Sequence, residues 1–156
     1  MGTLSYTYTF GAPADRVFDA LLDIEAWPEM MTGIAMTERL TDGPTRVGTR
    51  FRETRVMMGR EATEEMEFTA MEPGRSYTLG GTSCGCEMRF EHTLTPEGGG
   101  SRLDIEMTSK PVTLFAKVVG PIAGAMMKGA MRKCLDKDFD DLDRYLAGNT
   151  ENAATA

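Results

Sequence analysis

The longest apolar-periodic run in the chain lies near its C-terminal end, roughly Val112 to Leu146. Pro111 opens it, and from Ile122 its apolar positions recur as Ile122, Met126, Met127, Met131, Leu135, Leu142 and Leu146, which is a helical period. A helix with one apolar stripe has to bury that stripe against something else. Everything before it reads as short strands, tight turns and one small helical pair, so the only support large enough is a sheet. The sequence therefore predicts a sheet that curls around a long helix and leaves a pocket between them. Pro121 removes a backbone donor and crowds the preceding turn, so Gly120-Pro121 is expected to bend the helix and mark the pocket entrance. Asp136, Asp138, Asp140, Asp141 and Asp143 are expected mostly on its outer face.

The strands follow from alternation. Leu4, Tyr6, Tyr8 and Phe10 alternate with Ser5, Thr7 and Thr9, a period of two rich in β-branched and aromatic residues. Pro13 suits the first turn of a helix, and Val17, Phe18, Leu21 and Leu22 give that helix one apolar face. Asp23 can cap a second short helix holding Ile24 and Trp27, stopped by Pro28. Strands are predicted at Ile34 to Leu40, Gly48 to Met58, Glu61 to Met71, Ser76 to Thr82, Cys84 to Thr95 and Arg102 to Ser109. Gly59 sits at a hairpin tip, and Gly80-Gly81 reads as a bend between two strands. The triple glycine after Pro96 is followed by a strand and not a helix, so it is a connector and no phosphate cradle.

The 156 residues suit one domain, 1–147, with a polar tail, 148–156, expected to be disordered. The formal net charge of −7 and the lack of a concentrated basic face argue against nucleic acid and anionic membrane surfaces as partners. No run of about 18 apolar residues is present, so membrane insertion is not expected. Met1 to Phe10 lacks the basic and apolar regions of a signal peptide, which points to the cytoplasm. Cys84, Cys86 and Cys134 then read as free thiols. A homodimer stays open. The thirteen methionines are ordinary core filler or, at the positions below, the adaptable wall of a binding site.

Several stretches together resemble the helix-grip superfamily that includes START domains, birch-pollen-allergen-like proteins and polyketide cyclase/dehydrase-like proteins, often abbreviated SRPBCC. They are Ala12-Pro13-Ala14-Asp15-Arg16-Val17-Phe18, Trp27-Pro28, Val47-Gly48-Thr49-Arg50-Phe51, Glu72-Pro73-Gly74-Arg75 and Thr93-Leu94-Thr95-Pro96. The resemblance runs from Leu4 to about Ala147. It implies an α+β helix-grip fold in which about seven antiparallel strands, in β-α-α-β6-α order, bend around the C-terminal helix over an apolar cavity. It supplies no shared catalytic residues, so site residues have to be read from the pattern.

Taking Phe51 as the core marker puts Thr49, Phe51, Glu53, Arg55 and Met57 on the inner face. By the same logic Ala62, Glu64, Met66, Phe68 and Ala70 follow from the next strand. Tyr77, Leu79, Met88, Phe90, His92 and Met107 come from later strands, Ile122, Met126 and Ala130 from the helix, and Trp27 from the helical pair. A carboxylate and a guanidinium facing an apolar cavity must pair, so Glu53, Arg55 and Glu64 form either a satisfied ion pair or a polar anchor for a ligand. His92, the only histidine, is a hydrogen-bonded core residue or, in an enzyme, a proton shuttle. Cys84, Cys86 and His92 share a face, but at about 3.3 Å per residue His92 is too far along the strand for one metal ion. Neither metal nor cofactor is expected.

The leading reading is a binder of a small hydrophobic molecule such as a lipid, polyketide or aromatic metabolite. The alternatives are a cyclase/dehydratase-type enzyme using Glu53, Arg55, Glu64 and His92, and a protein-interaction module of the co-chaperone type.

Overall fold

Alternation of apolar and polar residues builds a seven-stranded antiparallel sheet in the order β1-β7-β6-β5-β4-β3-β2. The strands are β1 (Gly2–Phe10), β2 (Ile34–Arg39), β3 (Arg50–Met57), β4 (Arg60–Glu72), β5 (Ser76–Ser83), β6 (Cys86–Glu97) and β7 (Gly100–Pro111). The helices are α1 (Ala14–Leu22), α2 (Trp27–Met30) after a 3-10 turn at Ile24–Ala26, and α3 (Leu114–Thr155). This computed structural model describes the backbone of residues 2–57, 59–83 and 85–155, and the side chains among them apart from residues 57, 120–127 and 149–155.

Four neighbouring strand pairs from β3 to β7 are joined by short turns, and β1 returns to pair with β7 from Gly2↔Ser109 to Phe10↔Ser101. Of the side chains predicted to point inward on β3, Phe51 and Glu53 are buried and Arg55 is half-buried, while Arg50 and Arg52 are exposed. On β4 Phe68 is buried and Met66 half-buried as predicted, but Ala62 and Glu64 are exposed, and beyond Phe68 the alternation itself fails. The register shifts between Phe68 and Ala70, a bulge that moves Ala70 to the exposed side and turns Met71 in, opposite buried Tyr77. Gly80-Gly81 does not end a strand but lies within β5. The turn comes four residues later, at Gly85 with φ 74. A Cβ on Gly81 would sit 2.8 Å from the Glu65 carbonyl oxygen, so its glycine serves close strand approach.

Trp27 and Pro28 open α2 and do not stop a helix. Proline costs no hydrogen bond in a first turn, which overrides the bias against helix at the preceding residue. Asp23 precedes the 3-10 turn without a side-chain capping bond. Pro111 ends β7, and helix begins only at Leu114. The expected bend at Gly120-Pro121 and the polar tail from Asn149 fall on residues outside the described side chains; the helical backbone assignment of α3 runs through both.

The C-terminal half of α3 packs on the sheet through Leu135, Asp138, Phe139, Leu142 and Leu146. The acidic residues there are not a solvated outer face. Tyr6 Oη donates to Asp136 at 2.5 Å, Tyr8 Oη to Asp140 at 2.7 Å, and the Gly11 amide to Asp143 at 3.0 Å. Asp141 accepts from the Thr32 amide and hydroxyl. Carboxylates on both flanks thus clamp the helix to β1 and to the segment before β2. The start of α3 differs: Leu114, Phe115 and Val118 are 79, 74 and 71% exposed.

Candidate functional site

Strands β3 to β6 carry a chain of aromatic rings across the concave face. Trp27 meets Phe51 edge-on at 5.3 Å, Phe51 meets Phe68 at 5.7 Å, Phe68 meets Tyr77 at 5.5 Å, and Tyr77 stacks on His92 at 4.4 Å. All five are buried. They fill the closed end of the space between sheet and helix, with Leu94, Leu103 and Phe10 beside them.

Burial falls away along the same face toward the β3–β4 and β5–β6 turns. Leu79 and Met107 remain buried, Met66, Phe90 and Met88 are half-buried, and Glu64 and Ala62 are exposed although they point to the concave side. The exposed start of α3 is held at this end, because the amides of Val112 and Thr113 donate to the Gly85 carbonyl. The inner face is therefore closed and aromatic at one end and open, with a methionine-lined wall, at the other.

The polar feature between the two ends is an ion triad. Arg55 Nε and Nη2 donate to Glu53 Oε1 at 2.9 and 2.7 Å, and Nη1 donates to Asp138 Oδ2 at 2.6 Å. Glu53 and Asp138 are buried. Burial raises the pKa of both carboxyls against the pull of Arg55. Burial also pulls on Arg55 in the opposite sense, but its two carboxylates outweigh that and hold it charged. Asp138 Oδ1 is buried without a hydrogen-bond partner, beside the small Gly33.

Asp138 is the residue that the sequence reading missed. The run of aspartates suggests a mostly outer face, yet Leu135, Asp138, Phe139, Leu142 and Leu146 fall at i, i+3, i+4, i+7 and i+11. The place of Asp138 in that stripe was the available signal. Glu64 lies opposite Glu53 in the β3–β4 register and accepts from Ser83 Oγ at 2.6 Å, outside the triad.

His92 is held differently. Its Nδ1 is 3.2 Å from the Phe90 carbonyl oxygen, which can only accept, so Nδ1 carries the proton of the neutral ring. Burial pushes its pKa down to about 4, partly opposed by that bond. The Trp27 indole donates to the Ala20 carbonyl at 3.3 Å and plugs the core behind Phe51. Ala130 is half-buried on α3. Met57, Ile122 and Met126 lie outside the described side chains.

Two surface concavities are also present. A groove of about 660 Å³ is lined by Arg50, Glu65, Glu67, Thr69 and Arg89 and reaches Met66 and Met88 of the half-buried wall. A smaller one of about 300 Å³ lies between α1 and Tyr145-Leu146 of α3. Among the described residues no cluster of three His, Cys, Asp or Glu could hold a metal ion; Cys84 lies outside them, and Cys86 and Cys134 are half-buried free thiols. No helix among the described residues is long and apolar enough to cross a membrane.

The architecture and the sequence point the same way. The family described as "Polyketide cyclase / dehydrase and lipid transport" matches residues 1–146. The chain belongs to this family. Its fold is the helix-grip fold of the START/Bet v 1-like, SRPBCC superfamily. A START superfamily protein from Mycobacterium smegmatis superposes with a TM-score of 0.74 at 16% identity, covering 94% of this chain and 97% of that one. The Zhui aromatase/cyclase from Streptomyces sp. R1128 gives 0.71 at 17% identity, covering 92% of each chain. The ginseng major latex-like protein 151 from Panax ginseng gives 0.73 at 11% identity, covering 92% of this chain and 96% of that one. At such identities the likeness is one of fold. No curated protein matches the sequence. Family membership supports a ligand-binding or cyclase role for the polyketide cyclase/dehydrase-like chain.

Proposed function

We propose that this family member binds a small hydrophobic molecule, a lipid, polyketide or aromatic metabolite, between the concave face of the sheet and α3, and carries it unchanged. The observation behind this reading is the gradient of burial on one continuous face. An ordinary core would bury Met66, Met88 and Phe90 as fully as Phe51 and Phe68. Here they line the open end at half burial, and flexible thioethers suit a wall that adapts to its occupant.

Carriage is favoured over catalysis because the candidate acid-base groups are engaged within the protein. Glu53 and Arg55 hold each other, Glu64 accepts from Ser83, and His92 donates to its own strand. The enzyme reading draws on the raised carboxyl pKa values of Glu53 and Asp138, since a carboxyl kept protonated can act as a general acid. The exposed start of α3 is what an interaction module would also show.

Native mass spectrometry of the purified protein tests the proposal, with an expected excess mass of small-molecule size that organic solvent removes. An added apolar ligand at a hundredfold excess over its Kd would contribute about 2.7 kcal/mol, roughly 5–10 °C in Tm for a chain of this size. A protein that carries no such mass and gains no thermal stability from any apolar probe is not a carrier. Turnover of a polyketide-like substrate that Glu53→Gln abolishes would decide for the enzyme.

A further inference from the structure

Each nitrogen of the inner-face guanidinium already donates to a carboxylate, three of its five N–H groups in all. Arg55 Nε and Nη2 point to Glu53 and Nη1 to Asp138, at 2.6 to 2.9 Å. Two carboxylates therefore share one cation. The surplus is either one buried negative charge or a proton that cancels it, and neither state leaves a cation for an incoming anion. The surplus also includes an unanswered acceptor, since Asp138 Oδ1 is buried without a partner.

The surroundings do not reverse the balance. Glu64 adds a further carboxylate opposite Glu53. Arg60, on the same face by strand alternation, lies at the exposed end of the hairpin opposite Met57. Lys117, Lys128, Arg132, Lys133 and Lys137 of α3 are exposed, and of these Lys137 acts on Asp138 only as a weak opposing charge behind Arg55. Residues 120–127 contain no charged side chain in their sequence and so supply no hidden cation. An anion entering beside the triad would be desolvated and would meet either a like charge or a carboxyl neutralised by its proton, in both states without a cation left over to pair it.

We propose that the cleft selects apolar molecules whose polar end is uncharged or cationic and excludes those that end in a carboxylate, fatty acids included. This rests on the binding reading above and narrows it. The determinant is the two-to-one ratio of Glu53 and Asp138 to Arg55, and removing one of the two charges brings the triad to balance.

Two probes of matched shape test it: 2-naphthol, uncharged near neutral pH, and 2-naphthoate, an anion there. Titration calorimetry on the full chain is expected to show 2-naphthol binding tighter by roughly tenfold or more. Glu53→Gln is expected to close that gap by raising the affinity for 2-naphthoate, and Asp138→Asn to do the same. A gain of affinity cannot come from misfolding, and if either variant fails to fold the wild-type ratio still decides. Naphthoate binding as tightly as naphthol to the wild-type protein overturns the proposal, as does an unchanged ratio in both folded variants. If neither probe binds, the binding reading itself falls, and the charge selectivity with it.

Discussion

Arg55 on β3 and Asp138 on α3 meet at 2.6 Å across 83 residues of sequence. That contact ties the long helix to the far side of the sheet from β1, where Tyr6 and Tyr8 hold it through Asp136 and Asp140. The helix is thus fixed along its C-terminal half by polar bonds on both flanks, while its start stands exposed beside the half-buried inner wall.

Removing the guanidinium leaves two buried carboxylates facing each other. Arg55→Met is expected to destabilise the protein by about 3 kcal/mol or more, read from urea unfolding. Adding Glu53→Gln and Asp138→Asn to that variant should restore much of the loss, because the remaining groups are then neutral. An Arg55→Met protein as stable as the wild type would show that the triad carries no such constraint.

Gly33 presses on the same contact. A Cβ there would come within 3.1 Å of Asp138 Oδ1 and 3.9 Å of Arg55 Nη1. Gly33→Ala is expected to cost about 1–3 kcal/mol by displacing the carboxylate. The penalty should shrink when Asp138→Ala is introduced alongside it, and a double-mutant cycle measures that coupling.

Stability should depend on pH through His92. Its pKa falls from 6.5 to about 4 on folding, so between those values the unfolded chain binds the extra proton and stability rises with pH. The full contribution is on the order of 3 kcal/mol. Glu53 and Asp138 act in the opposite sense: with folded pKa values raised, they favour the fold at low pH and lose that contribution as pH rises through those values. Subtracting the profile of His92→Phe from that of the wild type isolates the histidine. The difference should climb from about pH 4 to 6.5 and then level off.

The closed and open ends should respond differently to truncation. Phe51, fully buried against Trp27 and Phe68, should cost about 3–5 kcal/mol as Phe51→Ala. Met66→Ala and Met88→Ala at the half-buried wall should cost about 1 kcal/mol each or less. They should instead change which apolar probes bind, measured as a shift in the order of affinities across probes of different shape.

Much of this was legible in the chain. Alternation assigned the inward faces of β3 and β6 because one face of each strand meets a core, and a slip of one residue would have exposed Phe51. The turn glycines at Gly59 and Gly74 were legible because both need positive φ. Ala70 was misplaced because a bulge is a pairing event between two strands, and neither strand alone encodes it strongly. Gly80-Gly81 was read as a bend because glycine signals both turns and close backbone approach, and only the neighbouring Glu65 carbonyl distinguishes them. Asp138 was hidden by its company: four other aspartates within eight residues looked like a solvated face, whereas each meets a specific donor or cation. The half-burial of Met66 and Met88 depends on where the helix leaves the sheet, which no local pattern fixes.

Methionine side chains report most directly on whether a ligand enters this face. With methyl-13C methionine, titration of 2-naphthol followed by NMR should give saturable shifts at the Met66, Met88 and Met107 methyls, while Met36, exposed on β2, stays unmoved. Methyl signals at the inner face that do not shift, or shifts that never saturate, would contradict binding between the sheet and α3.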